Sequence, residues 1–152
     1  MKMKKQKLVM AKIIIALGYS LLAAISSAHV EVSDAYVRGL PPGQPNTAAF
    51  MVLLNDTTDD MTLVSVSTTA AKKVEMHRHS HVNGVMQMRQ VNAIDIDSGK
   101  QFEFKPGGYH IMLIGLHKPL RHGDNVALEL NFASGAKVML TTVVRSVLKE
   151  NN

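Results

Sequence analysis

The chain has 152 residues, of which 46% are apolar and 19% charged, which is enough for one folded domain and is unlike a disordered chain. It contains no cysteine, which excludes disulfides, thiolate-bound zinc, iron–sulfur clusters, c-type haem attachment, a blue-copper centre and a lipid-modified cysteine. The net charge of +5 lies in residues 1–28, because residues 29–152 carry 12 basic and 12 acidic side chains. The charge therefore does not indicate a nucleic-acid partner.

Residues 1–28 have the pattern of a secretory signal. A lysine-rich start precedes an apolar stretch from Ile13 to Ile25, and small residues follow up to Ala28. The apolar stretch is short for a membrane span. We expect cleavage after Ala28, which would leave a periplasmic domain of residues 29–152 without a membrane span and with His29 as its first residue.

After the leader, the chain shows short apolar runs between turn residues and no sustained helical period, which predicts an all-β domain. Turns are expected at 41–46, 80–84, 105–108 and 122–125. The run 47–54 is almost continuously apolar, which is typical of a central strand buried on both faces. The predicted strands, in chain order, are 30–38, 47–54, 61–68, 72–77, 85–91, 102–104, 109–116, 126–132 and 137–148. This spacing favours a single-domain sandwich or barrel of Greek-key type.

The histidines and methionines offer the most specific chemistry. His110 and Met112 lie two residues apart on a predicted strand, so both side chains should share one face near the strand end, within reach of solvent. A thioether is a soft ligand that favours Cu(I), and imidazole suits several transition metals. His77 and Met88 are the best candidates for further ligands, because they lie on consecutive predicted strands joined by a turn.

These residues also carry a resemblance to a known family. His77, Met88, His110 and Met112, separated by ten, twenty-one and one residues, match the motif of the PCuAC-domain periplasmic copper chaperones. The segments HVEVSDAYVR (29–38), GVMQMR (84–89) and PGGYHIML (106–113) also resemble that family. The resemblance implies a cupredoxin-like β-sandwich that binds Cu(I) near its surface through these two histidines and two methionines. It further implies delivery of copper to an acceptor such as a respiratory oxidase subunit with a binuclear copper site, or another copper chaperone.

The chain departs from the family pattern beside the first histidine. Arg78 stands where the family often has an acidic residue, and His79 and His81 follow it. Which histidine of this cluster binds copper is therefore open, and His79 with His81 offers a secondary Cu(II) site. His29 offers another, because cleavage would place a free amine beside its imidazole.

The remaining methionines have a simpler interpretation, because methionine commonly fills gaps in protein cores. Met86 shares a face with Met88, and we favour core packing for it over a role as a spare thioether. Core positions are also expected for Met51, Met61, Met76 and Met139, and loop positions for His117 and His122.

We expect a monomeric carrier and not an enzyme, because no acid–base pair stands beside the ligands in the sequence. General periplasmic copper storage or tolerance is the alternative function. A copper-dependent redox enzyme and a metal-free structural β-sandwich are the rival classes.

Overall fold

The computed structural model describes residues 30–146, and the expected leader, His29 and the end of the last predicted strand lie outside these residues. The described residues form ten strands: β1 Val30–Gly39, β2 Asn46–Asn55, β3 Met61–Ser67, β4 Ala71–Val82, β5 Val85–Val91, β6 Ile94–Ile96, β7 Gln101–Phe104, β8 Tyr109–Leu116, β9 Asn125–Phe132 and β10 Lys137–Ser146. The all-β prediction is confirmed. Within 30–146, no helix is long and apolar enough to cross a bilayer.

The strands form one hydrogen-bonded network in the order β5-β4-β8-β7-β2-β1-β10-β9-β3-β6. The strands that come first and last in the sequence, β1 and β10, are hydrogen-bonded neighbours and run parallel. Strand β2 is central, since it pairs with β1, β7 and β8. Its residues 47–51 are all buried, as their continuous apolar pattern predicted.

The sheet curls around a single core. Strands β3 and β4 contact each other although they are far apart in the sheet order. Leu63 of β3 and Ile111 of β8 are both fully buried members of the same apolar cluster. The inner side of β8 is therefore held rigidly by the core, which leaves the alternate residues of that strand on the other face.

The hairpin of β4 and β5 differs from the prediction in a way that matters for the site. Strand β4 continues to Val82, so the turn has two residues instead of the expected five. Asn83 and Gly84 adopt positive φ angles of 52° and 78°, as a type I′ turn requires. Because Asn-Gly favours this tight turn, Val82 pairs with Val85 and the register of the whole hairpin is fixed.

Two further expectations were wrong. Strand β6 was not predicted, because three residues are too few to show a period. Met86 and Met139 are 59% and 66% exposed instead of buried in the core. Met86 lies on β5, an edge strand with no buried residue, and Met139 occupies an outward position of β10. The other methionines that we expected in the core are buried there: Met51, Met61 and Met76.

Candidate metal centre

Strands β5, β4 and β8 carry all four predicted ligands on one face. His77 lies directly opposite His110 on β8, and it is flanked diagonally by Met88 on β5 and Met112 on β8. Residues opposite each other in an antiparallel pair project to the same side, so the four side chains share that side. The shared face of His110 and Met112, which the period of two along β8 predicted, is thus extended to His77 and Met88 by the strand register.

The register also separates the two sulfur ligands. Met88 is opposite His79, whereas Met112 is opposite Glu75, four residues earlier on β4. In the register, the two methionines therefore lie at opposite corners of the cluster, with His77 and His110 between them.

The burial and hydrogen bonding of His110 favour a neutral imidazole with one free lone pair. Its side chain is buried, with the residue only 4% exposed, so our expectation of solvent reach was wrong. Its ring Nδ1 lies 3.1 Å from the carbonyl oxygen of Gly108. Because a carbonyl only accepts, Nδ1–H is the donor and Nε2 keeps its lone pair. Burial lowers the pKa of His110 below its usual value of 6.5, and the nearby His79, His77 and Arg38 add to this effect against the Gly108 hydrogen bond.

The turn that precedes β8 places the Gly108 carbonyl. Gly107 has a φ of 77°, and the Gly108 amide donates to the carbonyl of Lys105 at 3.0 Å. Pro106 and a glycine with positive φ are the residues that a type II turn favours at its two central positions. The Pro-Gly-Gly sequence therefore fixes the acceptor that orients His110.

His77 has the complementary arrangement. Its Nε2 lies 2.7 Å from Oε2 of Glu75, and the two side chains are only 16% and 11% exposed. Since a carboxylate accepts, Nε2–H donates, and the lone pair remains on Nδ1. That Nδ1 is buried and has no hydrogen-bond partner among the described residues. A buried polar atom without a partner is costly, and a metal ion is one group that could satisfy it.

Glu75 was missed by the sequence analysis. It lies on the same face as His77, two residues earlier on β4, and it also pairs with Lys73. The hydrogen bond from Lys73, followed by that from His77, lowers the pKa of Glu75 below its usual range. The period of two along this strand could have identified it as a neighbour of His77.

His79 is the third imidazole of the cluster. Its ring centroid lies 4.9 Å from that of His110, and the His77 ring lies 5.8 Å from the same ring. In residues 30–146, no three His, Cys, Asp or Glu side chains converge so as to hold one metal ion by themselves. A metal site at these imidazoles would therefore need a ligand of another kind, and the candidate sulfur ligands are Met88, which is 53% exposed, and the half-buried Met112.

The other predicted residues lie further from this cluster. His81 is opposite Met86 in the hairpin register, beyond the pair of His79 and Met88. His117 and His122 are exposed outside the strands, as expected.

The chain shows clear relationships to known proteins. Residues 30–144 match the family described as "Putative lipoprotein LpqE-like". "Putative lipoprotein Lxx21020" of Leifsonia xyli subsp. xyli is 32% identical over 108 residues, which are 70% of this chain and 64% of that protein. "Uncharacterized protein RP573" of Rickettsia prowazekii is 28% identical over 100 residues, 65% of this chain and 55% of that protein. The similar region thus spans less than two thirds of either relative.

Solved structures extend the comparison. The "Copper-bound PCuAC domain from PmoF2" superposes with a TM-score of 0.65 at 18% identity, over 78% of this chain and 95% of that one. The solution structure of apo-DR1885 from Deinococcus radiodurans superposes with a TM-score of 0.63 at 27% identity, over 82% and 83% of the two chains. A Cu(I) form of DR1885 gives 0.62 at 26% identity, over 79% and 81%. The chain belongs to the LpqE-like family and has the cupredoxin-like fold of the PCuAC domains.

Proposed function

We propose that the protein is a periplasmic copper chaperone that binds Cu(I) through His77, Met88, His110 and Met112. The observation that carries the proposal is the pair of facing imidazoles. In each ring, one nitrogen takes part in a hydrogen bond and the other has a lone pair that can bind a metal ion. Met88 and Met112 lie diagonally on either side of His77. The similarity to DR1885, which is described in a Cu(I) form, supports the choice of metal.

The donor set favours a monovalent soft ion. Two thioethers and two neutral imidazoles carry no charge, so a bound Cu(I) keeps its single positive charge and is not neutralised. Thioethers bind Cu(I) well and are poor ligands for zinc, calcium or magnesium. The lowered pKa of His110 keeps its imidazole unprotonated at neutral pH, as metal binding requires.

Exposure of one ligand would allow the ion to be exchanged. Met88 is 53% exposed on the edge strand β5, whereas His110 is buried on β8, on the other side of β4. A ligand of an acceptor protein can therefore approach from the side of Met88 while the imidazoles still hold the ion. This asymmetry suits a carrier, and we propose no enzymatic activity.

Glu75 is proposed as a positioning residue for His77. Metal-bound histidines usually donate their other ring N–H to a carboxylate or carbonyl, which fixes the tautomer and the ring orientation. Glu75 provides the carboxylate for His77, and the Gly108 carbonyl does the same for His110.

The leader and the family support export, which the proposed cellular role requires. Residues 1–28 have the pattern of a secretory signal. The family description is that of a lipoprotein, a class of exported proteins, although this chain has no cysteine to carry a lipid. We propose delivery of copper to the binuclear copper site of a respiratory oxidase, directly or through another chaperone. Storage or tolerance of periplasmic copper is the second candidate.

Two experiments test this function. Non-denaturing mass spectrometry with one equivalent of Cu(I), without oxygen, should show a one-to-one complex, and the absence of a complex would favour a metal-free structural domain. A strain that lacks the gene should lose oxidase activity at low copper and recover it when copper is added. Normal oxidase activity together with copper sensitivity would instead support storage or tolerance.

A further inference from the structure

We infer that His79 is an additional copper ligand, which forms an outer subsite with His110 and Met88 on the path between the four-donor site and the sheet edge. This inference rests on the proposed function, because it concerns how the same ion enters and leaves.

The first support is the spacing of the rings. The centroids of His79 and His110 are 4.9 Å apart, closer than the 5.8 Å between His77 and His110, although His77 is the direct cross-strand partner of His110. A ring nitrogen binds a metal ion of this class at about 2.0–2.1 Å, so two rings that share an ion have centroids on the order of 4.5–6 Å apart. Both pairs of rings meet this condition.

The second support is the hydrogen bonding of His79. Its Nδ1 is buried and, in the described part of the chain, has no hydrogen-bond partner. Its backbone amide donates to the Gly108 carbonyl at 3.2 Å, and the same carbonyl accepts from Nδ1 of His110. The Gly108 carbonyl therefore helps to position both residues. Each imidazole keeps one ring nitrogen whose lone pair can bind a metal ion.

The third support is the position of the sulfur ligands. Met88 is directly opposite His79 on the exposed edge strand, whereas Met112 lies beside Glu75 at the other end of the cluster. His110 and Met88 belong both to the four-donor site and to the outer subsite. The ion could therefore move outwards when His77 and Met112 are replaced by His79, while His110 and Met88 remain bound.

The exchange requires no redox chemistry. Copper remains Cu(I), one thioether and one imidazole leave, and one imidazole enters. The ion ends three-coordinate beside the exposed strand, where a ligand from an acceptor can occupy the next position.

The test measures the transfer rate and the affinity separately. Cu(I)-loaded protein is mixed with excess bicinchoninate in a stopped-flow instrument without oxygen. We expect His79→Ala to slow transfer by about tenfold or more, the scale on which loss of a supporting group acts at metal sites. The equilibrium affinity should change by less than about threefold, because the four-donor site is intact.

His117→Ala is the matched control, since His117 is an exposed histidine outside the strands. His79→Gln keeps a polar side chain of similar length, and it should be as slow as His79→Ala if loss of the ligand is the cause. Transfer at the parental rate in both His79 variants would overturn the inference, as would an affinity loss equal to that of His77→Ala. Failure of the parent protein to bind Cu(I) would instead overturn the proposed function.

Discussion

Two methionines on the surface of this molecule show what turns an ordinary side chain into a candidate ligand. Met88 and Met139 both lie within strands and are 53% and 66% exposed. Met139 is opposite Glu129, which forms an ion pair with Lys137 at 3.0 Å, and this is a solvated surface. Met88 is opposite His79 and diagonal to His77. Exposure is similar at the two positions, so it is the cross-strand neighbours that single out Met88 as a candidate ligand.

The largest effect should come from His110, the imidazole that both proposed copper positions share. His110→Ala removes a residue that binds the ion directly in the proposed site. We therefore expect Cu(I) affinity to fall by more than about 100-fold, beyond the range seen for residues that only support a ligand. Anaerobic competition with a Cu(I) chelator measures this, and His122→Ala is the control at an exposed site. Because His110 is buried, circular dichroism must show that the variant is folded. A folded variant with parental affinity would contradict the assignment.

A smaller loss is expected from Glu75→Gln. The neutral amide accepts a weaker hydrogen bond than a carboxylate and can also donate to the ring, so His77 is no longer restricted to one tautomer and orientation. We expect Cu(I) affinity to fall by about 10- to 100-fold. Long-range nitrogen NMR of the metal-free protein should show a change in the His77 tautomer in the same variant. Unchanged affinity and an unchanged tautomer would remove Glu75 from the site.

The free energy of unfolding should depend on pH through His110, a residue of the proposed site. The pKa of His110 is lowered in the folded state, so below about pH 6.5 the unfolded chain binds more protons than the folded one. The free energy of unfolding of the metal-free protein should therefore decrease as pH falls below that value, by at most about 1.4 kcal/mol per pH unit for this one group. Urea unfolding across this range should show the slope, and His110→Gln should reduce it. An equal slope in both proteins would contradict the prediction.

The smallest effect is expected at Met139, the exposed methionine opposite Glu129. Met139→Ala should leave Cu(I) affinity unchanged and alter the free energy of unfolding by no more than about 0.5 kcal/mol, as is usual for surface substitutions. The same titration and urea unfolding check this. A clear loss of copper binding in this variant would mean that exposed methionines bind copper wherever they lie.

The sequence predicted the strands that carry the site, because their apolar runs and turns are clear. The face shared by His110 and Met112 followed from the period of two. Cross-strand register was less accessible, since it depends on the exact length of the turn. The continuation of β4 to Val82 places His79 directly opposite Met88 and His77 diagonal to it. The burial of His110 and the exposure of Met86 depend on how far the core extends beneath each strand, which composition alone does not reveal.

Glu75 illustrates a different limit. Its charge and its position two residues before His77 are visible in the sequence, but a surface ion pair with Lys73 would look the same. Only the 2.7 Å contact with His77, together with the unpartnered Nδ1 on the same ring, distinguishes a positioning role from solvation.

The most direct test of the account is the Cu(I) affinity of the double variant Met88→Ala/Met112→Ala, measured without oxygen by competition with a chelator. Met88→Ala/Met139→Ala is the matched control, because it removes the same number of thioethers while keeping Met112. The account predicts a loss of more than about 100-fold in the first variant and a distinctly smaller loss in the second. Parental affinity in the first variant would contradict it.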